Sequence, residues 1–335
     1  MLFLLLRSLL LKFAFIIDPI ARLDPGHDTS VAIMEAAQVL GHEVYITQVD
    51  QLGVIESRAY GWLQSVTMEP VEQVGSGEGS HWVSVADWYS LGDRVWRPLE
   101  DMDAVFMRKD PPVTIPYLYV TYILDYIDSN KTQVINSPAG LRAANEKMYA
   151  LQFTDAIPET IVSADKQVIR EAVERWGAGV LKPLGGKAGE GILFLEGSDR
   201  NFNSIVEVST LQGAEPVMVQ KYLPAAKEGD KRVVMLNGEP IGAVNRVPTG
   251  KEFRGNMAVG GRSDKTVLTE RDLEICRQVG PTLKKDGLIL VGIDIIGGYL
   301  TEVNVTSPTG IREIDRLDDV RLGNQVVEWV EKAAG

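Results

Sequence analysis

A near-continuous apolar run at Phe13–Ile17 is followed by helical spacing over Thr29–Leu40 and a second strand-like run at Glu43–Gln48. Strands of a parallel sheet are buried on both faces and carry runs of this kind. The opening therefore predicts a βαβ unit. The pattern continues with a strand at Ala104–Met107, a helix at Tyr117–Ser129 and a strand at Gln133–Ile135. Between these, residues 53–97 hold no sustained period and read as irregular, with an exposed Gly-Ser-Gly-Glu-Gly-Ser tip at 75–80. The first domain is expected to close near residue 143.

From Asn145 the rhythm changes. A helix is expected at Ala164–Arg175, then strands at Gly179–Lys182, Ile192–Leu195 and Val217–Tyr222. Lys231–Leu236 and Ile241–Val247 form a hairpin around Asn237-Gly238, a dipeptide suited to tight hairpin turns. A helix at Glu270–Lys285 leads into a last hairpin, Val291–Ile296 and Tyr299–Val305, around Gly297-Gly298.

Register in that last hairpin can be argued. A strict two-residue turn sets Asp294 opposite Thr301; a loop one residue longer sets Asp294 opposite Glu302 and Gly292 opposite Asn304. The second arrangement gathers Val291, Ile293, Ile295, Val303 and Val305 on one apolar face, so burial favours it. The other face then holds Asp294, Glu302 and Asn304, oxygen donors that suit a hard cation such as Mg²⁺. A merely solvated acidic face is the competing reading. Gly292 opposite Asn304 leaves room for a ligand, and Thr-Ser-Pro-Thr follows at 306–309.

Other segments carry candidate chemistry. Gly185, Gly186, Gly189 and Gly191 lie in a loop between two strands, which matches neither a Walker A loop nor a dinucleotide fingerprint. Such a loop is either a surface hairpin or a lid whose N–H groups face phosphate oxygens. Lys182 sits inside the apolar strand Val180-Leu-Lys-Pro, where a lysine needs an anionic partner. Lys147, at a helix start, is also placed for phosphate. The strand Val219–Leu223 runs out into Pro224, where Gln220, Lys221, Tyr222 and Leu223 could meet an adenine edge. Arg232, Arg246, Arg254 and Arg262 are spread over strands and a glycine-rich loop, and arginine can grip carboxylate or phosphoryl groups bidentately.

Composition narrows the classes. A net charge of −12 gives no electrostatic footprint for nucleic acid or an anionic membrane. One cysteine, Cys276, excludes an internal disulfide and suits a reducing, cytoplasmic compartment. Its surroundings, Glu-Ile-Cys-Arg-Gln-Val, read as a helical core position. Residues 1–11 are apolar but interrupted by Arg7, with no small-residue cleavage site, and are expected to be a dispensable extension.

Taken with Ile17-Asp-Pro-Ile20, Met107-Arg-Lys-Asp-Pro-Pro112, Asn145-Glu-Lys147, Leu181-Lys-Pro-Leu184, Gln220-Lys-Tyr-Leu-Pro224, Gly229-Asp-Lys-Arg232 and Thr301–Thr309, the chain from residue 12 to about 330 resembles the prokaryotic glutathione synthetases, cyanobacterial type, of the ATP-grasp superfamily. The resemblance implies an α/β ATP-grasp fold. Its parts would be a Rossmann-like parallel-sheet domain over 12–143, a lid subdomain over 144–223 and an antiparallel catalytic subdomain over 224–335. It implies an ATP-dependent carboxylate–amine ligase that joins γ-glutamylcysteine to glycine through an acyl-phosphate.

By the same resemblance Lys147, Lys182, the four lid glycines, Gln220–Leu223 and Asp230 would bind ATP. Asp294, Glu302 and Asn304 would hold Mg²⁺, with Mn²⁺ as a substitute, and Arg232 and Arg246 would be catalytic. Asp18, Arg108, Arg254, Ser307 and Thr309 would meet the peptide. A homo-oligomer, a tetramer by family likeness, is expected, without nucleic-acid or membrane partners. The rivals are an ATP-grasp ligase with another acceptor, a catalytically silent ATP-binding protein on this fold, and a form anchored to a membrane through residues 1–17.

Overall fold

The computed structural model describes residues 10–186, 189–249 and 261–334. The chain divides into two compact units. One comprises residues up to Asp110, Ile115–Ala139 and Ile311 onward; the other comprises Pro111–Thr114 and Gly140–Gly310.

The first unit is built on β1 (Lys12–Ile16), α1 (Thr29–Val39), β2 (Glu43–Thr47), β3 (Leu52–Ile55), β4 (Arg58–Met68), β5 (Glu72–Val74), β6 (His81–Val83), β7 (Tyr89–Pro98), β8 (Ala104–Met107), α2 (Ile115–Leu124) and β9 (Gln133–Ile135). Strands β2, β1, β8 and β9 lie side by side in parallel, as the apolar runs required. Asp28 caps α1, its carboxylate accepting the Val31 N–H at 2.9 Å. Two expectations change here. Residues 53–97 are not irregular: β4 pairs antiparallel with β2, β3 and β7 and extends the sheet to seven strands. Leu11, assigned to the extension, is buried, and its carbonyl accepts the Glu43 N–H at 2.9 Å. Residues 1–9, the rest of that extension, lie outside the described residues.

The second unit contains α3 (Pro138–Ala143, which begins in the first), β10 (Thr160–Ser163), α4 (Lys166–Trp176), β11 (Ala178–Pro183), β12 (Leu193–Glu196), α5 (Phe202–Ser209), β13 (Val217–Lys221), β14 (Asp230–Leu236), β15 (Glu239–Val247), β16 (Arg262–Lys265), α6 (Glu270–Lys285), β17 (Leu290–Ile296) and β18 (Tyr299–Asn304). Two antiparallel sheets result, ordered β10-β13-β11-β12 and β16-β15-β14-β17-β18. Behind the first, Ile169, Val173, Leu181, Phe202 and Val219 form one buried cluster. Helix α6 opens with a capping box between Thr269 and Asp272, which satisfies two otherwise orphaned N–H groups.

Helices α7 (Ile311–Asp318) and α8 (Leu322–Ala334), expected in the catalytic subdomain, belong instead to the first unit. Gly323 explains the docking of α8 on α1: a Cβ there would stand 2.7 Å from the Ala32 carbonyl oxygen, so a larger residue would push the helices apart. Helix α7 is held by the short β5–β6 hairpin. Trp82 Nε1 donates to the Arg312 carbonyl at 2.8 Å, and the guanidinium groups of Arg312 and Arg321 lie 5.3 and 5.4 Å from its ring.

Candidate active site

The β17–β18 hairpin has the register that burial demanded: Asp294 faces Glu302, Ile293 faces Val303 and Gly292 faces Asn304. The means differ from the longer loop expected. Gly297 and Gly298 make a two-residue turn, both at positive φ, and the shift comes from a bulge beyond Asp294 that leaves Thr301 as the extra residue. The bulge has a chemical result, because the Thr301 carbonyl accepts Lys182 Nζ at 3.3 Å. The apolar face, Val291, Ile293, Ile295, Val303 and Val305, is buried throughout.

Asp294 is the electrostatic centre of the polar face. Arg232 grips it through Nε and Nη2 at 2.5 and 3.1 Å, Arg246 Nη2 lies at 3.0 Å, and Asn304 Nδ2 donates at 3.2 Å. Burial opposes ionisation of Asp294, but the two arginines prevail and hold the carboxyl well below the usual carboxylate range. Asp230, paired with Arg246 at 2.5 Å, is pushed up to about 6 by burial, with Asp294 adding to the rise. Its Oδ1 is buried without a hydrogen-bond partner. Gly292 is required here, since a Cβ would meet Pro308 at 2.9 Å and Arg232 Cδ at 3.0 Å.

The two lysines converge on the same face. Lys147 Nζ lies 3.2 Å from Glu302 and donates to the Gly186 carbonyl at 2.8 Å. Lys182 Nζ donates to Gln220 Oε1 at 2.6 Å, and burial lowers its ammonium below the ordinary lysine value. Both cations are thus parked on neutral carbonyls and one carboxylate, ready to exchange for a stronger anion. An open cavity lies beside them. Its walls combine Val180, Ile192, Leu223 and Ile296 with Lys182, Gln220, Asp230, Asp294 and Glu302. An apolar slot that ends in cations and carboxylates fits a flat heteroaromatic ring joined to phosphates.

The remaining expected residues distribute as follows. Gln220, Lys221, Tyr222 and Leu223 all line the cavity, although the Lys221 ammonium pairs with Glu159 at 2.6 Å and Gln220 spends its side chain on Lys182 and Thr160. Gly189 and Gly191 adopt positive φ in the lid loop that also holds Gly185 and Gly186; residues 187–188 lie outside the described residues, as does Arg254. The Thr309 carbonyl accepts Arg232 Nη1 at 3.0 Å, and Ser307 stands two residues before it.

Asp18 and Arg108 belong to the first unit. Asp18 Oδ2 accepts Lys109 Nζ at 3.0 Å and the Asp110 N–H at 3.2 Å. Arg108 is buried and donates to Ser30 Oγ at 3.0 Å. Sequence reasoning missed Thr301 and Glu146. No spacing announces a bulge, but Glu146 stood in Asn145-Glu-Lys147 beside a residue already chosen.

The donor set suits a divalent cation of the Mg²⁺ type: two carboxylates and a carboxamide on adjacent strands, with the unpartnered Asp230 Oδ1 nearby. Among the described residues no group of three or more His, Cys, Asp and Glu side chains is preformed for a metal. Asp294 and Glu302 are instead neutralised by arginine and lysine.

Comparison with known proteins gives the chain its relatives. The model for the N-terminal domain of prokaryotic glutathione synthetase matches residues 11–142, and that for its ATP-grasp domain matches residues 146–319. A glutathione synthetase from Nostoc sp. is 66% identical over 322 residues, covering 96% of this chain and 98% of the relative. One from Synechocystis sp. is 62% identical, covering 96% and 99%. Among solved structures, the ATP-grasp ligase PsnB complexed with a phosphomimetic variant of its minimal precursor, Mg and ADP superposes with a TM-score of 0.61 at 18% identity, covering 96% of this chain and 98% of that one. At that identity the likeness carries the fold, which is ATP-grasp.

Proposed function

The chain belongs to the prokaryotic glutathione synthetase family, and on that premise we propose how its residues divide the work of joining γ-glutamylcysteine to glycine with ATP. The single observation that carries the assignment is the convergence of Lys147, Lys182, Arg232 and Arg246 on the Asp294–Glu302–Asn304 face at the end of an apolar cavity. The purine lies in the slot of Val180, Ile192, Leu223 and Ile296, with Gln220–Tyr222 along its edge. Lys147 and Lys182 leave Glu302 and Gln220 for the phosphates, and the lid glycines offer N–H groups to the same oxygens.

Asp294, Glu302 and Asn304 would hold Mg²⁺, which when bound would neutralise charge on the polyphosphate, and Mn²⁺ would be an acceptable substitute. A ligase of the same fold has been solved with Mg and ADP, which supports Mg²⁺ as the cation. The cysteinyl carboxylate of the dipeptide displaces ADP from the γ-phosphorus and becomes an acyl-phosphate. Glycine's amine then attacks that carbonyl, loses a proton, and phosphate departs. Arg232 and Arg246 stabilise the oxygen that gains charge at each step. Ser307 and Thr309 form the edge that receives the peptide, with Arg254 as a further substrate contact.

Residues 144–223 serve as the lid subdomain and 224–310 as the catalytic one. Family likeness supports a cytoplasmic homotetramer. No helix among the described residues is long and apolar enough to cross a membrane. The test is ADP release with γ-glutamylcysteine and each amino acid in turn. Glycine should give the highest rate, and a glycine rate no greater than background would overturn the assignment.

A further inference from the structure

Three consecutive side chains, Asn145, Glu146 and Lys147, reach three different parts of the second unit. Asn145 Nδ2 donates to the Leu184 carbonyl at 3.1 Å, at the entry to the lid loop. Lys147 spans Glu302 and Gly186. Glu146 does something else. Its Oε1 alone accepts the Val305 N–H at 2.9 Å, the Thr306 N–H at 3.0 Å and Thr306 Oγ1 at 2.8 Å, while its own carbonyl accepts the Val303 N–H at 3.0 Å.

The position of these bonds gives them meaning. Strand β18 ends at Asn304. Just beyond it Val305 and Thr306 donate to a carboxylate oxygen, and bonds to an ionised acceptor are about twice as strong as neutral ones. The segment so fixed joins Asn304, on the cation face, to Ser307 and Thr309. Glu146 itself lines neither the nucleotide cavity nor the arginine cluster around Asp294.

We propose that Glu146 is a positioning residue for the peptide substrate: it clamps the exit of β18 so that Ser307 and Thr309 present a fixed edge to the dipeptide. This rests on the reading of Ser307–Thr309 as the peptide edge. A clamp of this kind acts more on dipeptide binding than on the nucleotide, because Asn145 and Lys147 make their own contacts to lid and phosphate site, even though the Glu146 carboxylate lies in the field of Glu302 and Lys147.

The test compares KM values for γ-glutamylcysteine and for ATP in the full-length enzyme, alongside melting temperatures. Glu146→Ala should raise the dipeptide KM about tenfold or more while the ATP KM stays within about twofold. Glu146→Gln, which keeps an acceptor oxygen, should restore most of the loss. Thr306→Val added to Glu146→Ala should cost little further, since the hydroxyl has already lost its partner. If Glu146→Ala does not fold, Thr306→Val in the native background carries the comparison, with a dipeptide KM raised about threefold and an unchanged ATP KM. Equal changes in both KM values, or a lowered melting temperature with both KM values unchanged, would overturn the proposal. Ser307→Ala separates the two levels. An unchanged dipeptide KM there removes the peptide edge itself, whereas a raised one beside a silent Glu146→Ala leaves the edge standing and removes only the clamp.

Discussion

Two antiparallel strand pairs, β17–β18 and β4–β7, each contain a bulge, and only the first of these two is legible before the structure is known. In β17–β18 Val291, Ile293, Ile295, Val303 and Val305 share the buried face while Asp294, Glu302 and Asn304 share the other, so a single register satisfies burial. In β4–β7 the buried positions are Ala59, Gly61 and Leu63, and then Val66 and Met68; the bulge near Gln64 flips the parity halfway. The outward face of that pair is aromatic as well, with Tyr60 and Trp62 near Trp96 and Arg94 5.0 Å from the Trp62 ring. Exposed tryptophan looks like core in a sequence. The lesson is physical: a bulge beside a turn moves a register as a whole, whereas a bulge in mid-strand destroys the alternation on which prediction rests.

The comparison can be broken at its catalytic end first. Glu302→Gln should lower kcat by about 100-fold or more, because the charge that faces the lysines and the cation is gone. Steady-state ADP release measures it, and an unaltered rate would remove Glu302 from the site.

On the other side, the β5–β6 hairpin holds α7, where Asp315 accepts the Leu322 N–H at 2.7 Å and burial pushes its carboxyl up to about 6. A folded-state pKa above the unfolded value means that the native protein binds more protons. Stability from this group is therefore full below about pH 4 and is lost as pH rises through about 6. Asp315→Asn should flatten that part of the stability–pH profile by about 2 kcal/mol. Denaturant titrations at pH 4 and 7 decide it, and a wild-type slope retained in the variant would exclude Asp315 as its source.

The smallest effect belongs to the aromatic face. Trp62→Ala should cost about 1 kcal/mol of stability through its lost contacts with Trp96 and Arg94, with kcat/KM unchanged. A tenfold loss of kcat/KM would make the β4–β7 pair part of the catalytic apparatus and erase the contrast.

The parallel strands, the polar face shared by Asp294, Glu302 and Asn304, and the burial of Lys182 were legible because each combines a strong period with an out-of-place charge. Lys182 in an apolar strand is the clearest case. The fate of the Lys221 side chain was not, since its pairing with Glu159 depends on a residue 62 positions away. The carbonyl that Thr301 offers to Lys182 and the triple acceptor at Glu146 were hidden for the same reason: both are products of tertiary register and not of composition. The assignment of α7 and α8 to the first unit turned on Gly323, whose missing side chain matters only once α1 is opposite it.

Cys276 lies on α6, is 1% exposed, and burial drives its thiol up to about 12. It is the chain's only sulfhydryl. An enzyme whose substrate and product are both thiols would, with a surface cysteine, be open to mixed-disulfide capture by them whenever the cell is oxidised. Here that exchange finds no accessible thiolate to begin it. The catalyst that replenishes the redox buffer thereby offers that buffer no accessible thiol of its own to capture.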